Sequence, residues 1–118
     1  MISYTPIMHC PAVVGREIDK EYQHRWVIVD AQKQVVPATT PKLADIQVDI
    51  KFGYLVLRAE GMLRLDIPME VIEDDESAFE WITITQDAPT VRTVSEGDLA
   101  AQWFSVYLGQ PVRLMKKV

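Results

Sequence analysis

Few residues of this chain could carry chemistry, and the first of them stand close together. The only cysteine, Cys10, follows one of the two histidines, His9, in the stretch TPIMHCPA, closed off by Pro6 and Pro11. A thiol acts as a nucleophile or sulfur carrier only as thiolate, which needs a nearby base or a positive field. Neighbouring residues on a strand point to opposite faces, so His9 can serve Cys10 only where the chain bends. The plainer reading is a strand running into a proline bend, with Cys10 packing rather than reacting, since a free cysteine is commonly a small core residue.

His9 and His24 could form a metal pair, with Cys10 as a third ligand if the fold brought them together. No carboxylate or thiolate stands at ligand spacing, so two surface histidines and no metal are expected. The acidic run Glu73, Asp74, Asp75 and Glu76 lacks the glycine turn and distal glutamate of a calcium loop, and reads as a solvated loop. Trp103, Phe104 and Tyr107 could form a ligand shelf, but such residues more often anchor a helix in a core. Gly-rich phosphate loops, Gly-x-Ser-x-Gly and paired catalytic carboxylates are absent.

The elements that must position these residues are mostly strands. Apolar residues alternate from Ile2 to Met8. RWVIVD (25–30) reads as a strong strand that turns through AQK into QVV (34–36). In ADIQVDIKF (44–52), Ile46, Val48, Ile50 and Phe52 fall on one face. Gly53 turns the chain into YLVLRA (54–59), and Glu60-Gly61 turns it again into MLRLDIPM (62–69). EWITITQ (80–86) and TVRTV (90–94) are further strands. Ser95 is an N-cap candidate, with Glu96 and Asp98 in the first turn, where the helix dipole favours acids. Leu99, Trp103 and Val106 follow at helical spacing, joined by Phe104, Tyr107 and Leu108, and Gly109 and Pro111 end the run. VRLMKKV (112–118) is a last strand. The expected fold is mainly β: a small antiparallel β-barrel with one α-helix over about residues 96–108. The predicted core is Ile7, Trp26, Ile28, Ile46, Val48, Leu55, Leu57, Leu65, Trp103 and Leu114.

With 118 residues, 48% of them hydrophobic and 25% charged, the chain suits one domain, residues 1–118, with a real core. The net charge of −5 argues against nucleic acid and against anionic lipid. Lys116-Lys117 reads as a solubilising tail. One cysteine fits a reducing compartment, and no signal or spanning segment is visible, so a cytoplasmic protein is expected.

Three stretches resemble, in order and spacing, the MOSC N-terminal β-barrel domain: YTPIMHC (4–10), YQHRWVIVD (22–30) with PKLADI (41–46), and AAQWFSVYLGQPVRLM (100–115). In that family the module precedes the catalytic MOSC domain of molybdenum-cofactor sulfurases, amidoxime-reducing proteins and bacterial relatives. The resemblance implies that this chain stops where that domain would begin, so the catalytic half, with its molybdenum-ligating cysteine, is expected to be missing. Cys10 matches a different cysteine, in the family's Pro-Ile-Lys-Ser-Cys. Met8 and His9 replace the Lys and Ser there, Gln23 and His24 replace the Asp and Arg of Tyr-Asp-Arg-x-Trp, and Ala38 replaces the Arg of a Thr-Gln-Arg. Relatives use these cations to hold the phosphate of the pterin cofactor, and Met and Ala offer nothing in place of a guanidinium fork.

Two functions follow as expectations. One is a stand-alone, non-catalytic module that binds a small molecule or a partner protein, such as a separately encoded MOSC-type enzyme, and carries no cofactor. The other is a diverged remnant of molybdenum-cofactor chemistry, in which Cys10, His24 and Arg25 contact pterin or carry sulfur.

Overall fold

A computed structural model describes residues 1–69, 78–83 and 90–118. Its elements are β1 (Ile2–Tyr4), β2 (Val13–Gly15), β3 (Trp26–Asp30), β4 (Gln47–Lys51), β5 (Tyr54–Arg58), β6 (Leu65–Pro68), β7 (Phe79–Ile82), β8 (Val91–Ser95), α1 (Asp98–Leu108) and β9 (Val112–Lys117). Short 3-10 turns span Glu17–Tyr22 and Leu43–Asp45. Among the described residues, the pairings between these strands are all antiparallel. The mainly-β reading with one helix holds. The acidic run at 73–76 lies outside the described residues.

Closure into a barrel does not appear among the described residues. They form a four-stranded sheet, β3-β9-β8-β7, a three-stranded sheet, β4-β5-β6, and the pair β1-β2. A barrel needs a ladder that runs unbroken around the circumference. Here β3, an edge of the larger sheet, gains only single bridges, Ile7 to Trp26 and Val35 to Val29.

The two larger sheets and the helix share one core. Trp26, Ile28 and Leu114 come from the first sheet, Leu55, Leu57, Leu65 and Ile67 from the second, and Ala100, Trp103, Phe104 and Tyr107 from α1. A smaller cluster, Val27, Val29, Ile82 and Met115, covers the other face of the four-stranded sheet. β3 is therefore buried on both faces, which is why Trp-Val-Ile-Val reads as a continuous apolar run rather than an alternation. Every predicted core residue is buried except Val48, which is half-buried against the core.

Three expectations change. Phe52 does not continue the apolar face of β4: it is 97% exposed. The strand ends at Lys51, and Phe52 (φ 53°) and Gly53 (φ 79°) form the two-residue turn to Tyr54. Two positive φ values match the twist that such hairpins need, and they turn the Phe52 ring into solvent. Ser95 stays in β8, because the Glu96 amide extends the pairing by donating to the Leu114 carbonyl at 3.0 Å. Gly97 (φ 102°) then makes the corner and caps a helix that starts at Asp98. Finally, Leu99 and Val106 face outward, 73% and 63% exposed. The buried stripe is Ala100, Trp103, Phe104 and Tyr107, an i, i+3, i+4, i+7 set that keeps the expected Trp103, Phe104 and Tyr107 and turns Leu99 and Val106 out. The indole N–H of Trp103 fixes that rotation by donating to the Leu63 carbonyl at 2.7 Å.

Candidate functional site

The sequence points first to the corner around Cys10. Residues 5–8 run beside 24–26, tied by amides: His24 to the Thr5 carbonyl at 2.7 Å, Trp26 to Pro6 at 3.0 Å, and Met8 to Trp26 at 2.9 Å. The chain then reverses, with the Cys10 amide donating to the Ile7 carbonyl at 3.0 Å. His9 takes the left-handed position of that turn, φ 72°, and His24 is left-handed as well, φ 53°. Such conformations disfavour a side chain with a Cβ.

This bend separates the two residues that the sequence sets side by side. Cys10 turns into the main core, 7% exposed, and burial pushes its thiol up to about 12. Burial thus disfavours the thiolate that a nucleophile or a metal ligand needs. Met8, at the family's lysine position, packs against the Val27–Met115 cluster, where a cationic side chain would be desolvated.

His9, His24 and Arg25 do converge, and Lys117 joins them. Partial burial lowers the His24 pKa, and the charges of Lys117 and His9 lower it further. Burial, and then Arg25, lower that of Lys117. The Lys117 amide donates to the Arg25 carbonyl at 2.9 Å. The Arg25 guanidinium is tied back to the Glu21 carbonyl at 3.2 Å and lies over the Tyr22 ring. The corner is thus basic, yet no group of three or more His, Cys, Asp or Glu side chains among the described residues could hold a metal.

Lys116-Lys117 is not a tail. Both residues belong to β9, an inner strand of the four-stranded sheet. Lys116 is buried, its Nζ donating to the Met69 carbonyl and lying 5.9 Å from the Trp26 ring centroid.

A second place has no motif to announce it. Where α1 meets the four-stranded sheet and the turn after β3 lies an open groove of about 460 Å³, with Asp30, Ala31, Pro111 and, from α1, Ala101 and Gln102 along it; Val29, Ile82 and Met115 of its lining are buried. Its charges are arranged in pairs. Lys33 meets Glu80 at 3.2 Å, and Arg113 meets Asp98 at 2.8 Å while also donating to the Ser95 hydroxyl. Asp30 also lines it, with Oδ1 accepting the amides of Gln32 and Gln34 at 2.9 and 3.1 Å. Sequence reasoning missed these residues because each is ordinary in its own element. The one usable signal was polar Asp30 at the turn of an otherwise apolar strand.

A third surface, lined by Leu63, Leu99, Trp103 and Val106, is an apolar groove on the outer side of α1. Among the described residues, no helix is long and apolar enough to cross a membrane.

Comparison with known proteins places these features. Residues 14–111 match the family described as the MOSC N-terminal beta barrel domain. The matched region includes His24 and Arg25 but not Cys10. Over 107 residues the chain is 29% identical to the molybdenum cofactor sulfurases of Bos taurus and Homo sapiens, covering 81% of this chain and 11% of each of those proteins. It therefore spans about a ninth of the length of these relatives. A protein of Bordetella bronchiseptica whose solution structure is known is 40% identical, with a TM-score of 0.76, and the match covers 98% of this chain and 88% of that one.

Proposed function

Because this chain belongs to the MOSC N-terminal beta barrel domain family, we propose that it works as a binding domain without catalysis of its own, and that it holds a small molecule between α1 and the four-stranded sheet. The observation that carries this reading is the groove itself. Its volume of about 460 Å³ falls in the range of small-molecule sites, roughly 300–1,000 Å³, which combine apolar walls with a few placed polar groups. The non-catalytic part rests on Cys10, a buried thiol near pKa 12, and on the pairing of the groove's charges with one another. A titration of the labelled protein with small aromatic and aliphatic fragments tests it. Amide shifts should concentrate on Val29, Ile82, Ala101, Gln102 and Met115. A spectrum unmoved at millimolar fragment would overturn the reading.

The basic corner favours a second reading, a remnant of pterin recognition. His24, Arg25 and Lys117 lie close enough to perturb one another, and the curated relatives are molybdenum cofactor sulfurases. In this reading His24 and Arg25 face the phosphate of a molybdenum-type cofactor, and Cys10 contacts the pterin or carries sulfur. Titration with a phosphorylated pterin decides it: shifts at 8–10, 24–26 and 117 support the remnant, and their absence removes it. A separately encoded MOSC-type partner would instead find its surface on the apolar side of α1, around Leu99 and Val106.

A further inference from the structure

α1 leaves four residues exposed, Asp98, Leu99, Gln102 and Val106. Leu99 and Val106 are 73% and 63% exposed, and Leu63 beside them is 87% exposed. With Gln102 they line one groove on the outer side of the helix. The Trp103 bond to the Leu63 carbonyl sets Leu63 against the middle of α1. Exposed apolar residues are ordinary when scattered singly, but three large ones on one groove form the kind of patch that meets another surface.

Among the described residues this face carries no unpaired charge. Asp98, the single charged residue of α1, is paired with Arg113 at 2.8 Å, and Arg64, which borders the groove, is paired with Asp66 at 3.1 Å. A strongly charged partner would find no unanswered opposite charge here. The net charge of −5 opposes contact between copies elsewhere, but not across this strip. The order of the exposed residues is also self-complementary. Gln102 stands three residues after Leu99 and four before Val106. A two-fold axis beside Gln102 therefore lays Leu99 of one copy on Val106 of the other, with the helices antiparallel. The same axis brings the two Gln102 side chains together, and a carboxamide, both donor and acceptor, can bond its own copy. One polar pair within an apolar stripe fixes register.

We infer that this face pairs with a second copy of the chain, through an antiparallel two-fold contact of α1. Three apolar side chains from each copy make a small patch against the roughly 1,600 Å² of a standard interface, so the dimer is weak and forms at high concentration. The pairing does not depend on a ligand in the groove between α1 and the four-stranded sheet.

Sedimentation equilibrium of the full chain, from micromolar to millimolar protein, tests it. The mass should rise from monomer towards dimer. Leu99→Asp and Val106→Asp should each weaken association at least about tenfold, because each puts two unpaired carboxylates into the contact. Both residues are exposed in the single copy, so these variants should melt as the native chain does. Gln102→Cys should give a disulfide-linked dimer on mild oxidation, since such a bond needs Cβ atoms about 3.5–4.5 Å apart. Leu99→Cys should not, because seven residues of helix set it about 10 Å from its counterpart. Cys10 is buried and takes no part. A chain that stays monomeric at millimolar concentration would overturn the pairing and leave the face to a different protein. Association unchanged by both aspartate substitutions, or cross-linking as ready through Leu99→Cys as through Gln102→Cys, would overturn it as well.

Discussion

The corner at His9–Cys10 and the groove beneath α1 are opposites. The corner holds the residue types that chemistry uses, yet the turn at Ile7–Cys10 puts the thiol into the core and leaves the imidazole outside. The groove is built from common residues of four elements, yet it is open and pre-shaped, with its charges already placed. Residue type marks where chemistry is conceivable, and backbone geometry decides where a ligand can reach. A reactive side chain that is desolvated and without a base is packing material.

The comparison breaks most readily at α1, which walls the groove. Trp103→Ala removes the ring that seats the helix and its bond to Leu63, and should cost about 3–5 kcal/mol in denaturant unfolding. A loss within error would mean that the helix is not anchored there and that the groove has no fixed wall.

The closed state of the corner comes next. With the Cys10 thiol moved from 9.0 to about 12, alkylation at pH 8 should run about a thousandfold slower than in the unfolded chain. It should still be accelerating at pH 10, where the unfolded thiol has already levelled off. Equal rates would make Cys10 an accessible thiol and erase the contrast.

Smaller effects probe the strain of the two left-handed histidines. His9→Gly removes a Cβ from a position with φ 72°, and should be neutral or stabilising by about 0.5 kcal/mol once the greater freedom of the unfolded glycine is counted. Gly109→Ala, at the left-handed end of α1 (φ 74°), should lose about 1 kcal/mol. If both substitutions move the melting temperature the same way, the turn at His9 is not strained.

The smallest effect is the pH dependence from His24. Its native pKa lies below 6.5, so the unfolded chain takes up this proton first as pH falls. Stability from this group is full above 6.5 and is lost as pH drops towards the lowered native value. His24→Asn, which tolerates the left-handed backbone, should flatten that slope in melting curves taken between pH 5 and 7. An unchanged slope would mean that neither the partial burial of His24 nor the charges of Lys117 and His9 act on it.

The fold was largely legible in the sequence, and its errors are local. Alternation located β4 and β5 but could not show that Phe52 leaves the face, because the hairpin turn decides that. Helical spacing located α1 but allowed two stripes one residue apart, and contacts with Leu63 and the sheet chose between them. Lys116 and Lys117 read as a tail because charge next to a terminus implies solvent. Pairing between β3 and β8 places them inside a sheet instead. Of the candidate site, His24, Arg25 and Cys10 were named from the sequence, and the structure gathers the first two and turns the third away.

The sequence by itself determined the mainly-β class, a set of core positions that are all buried except Val48, and the family, because hydrophobic period and turn residues are local properties and the fold must satisfy them. Only the tertiary structure decided that the sheets do not close among the described residues, that Cys10 is buried and that a groove lies between α1 and the four-stranded sheet. Each of these depends on which distant segments meet, Ile7 with Trp26, Trp103 with Leu63 and Asp30 with Val112. Contacts across such separations leave no period in the chain that would announce them.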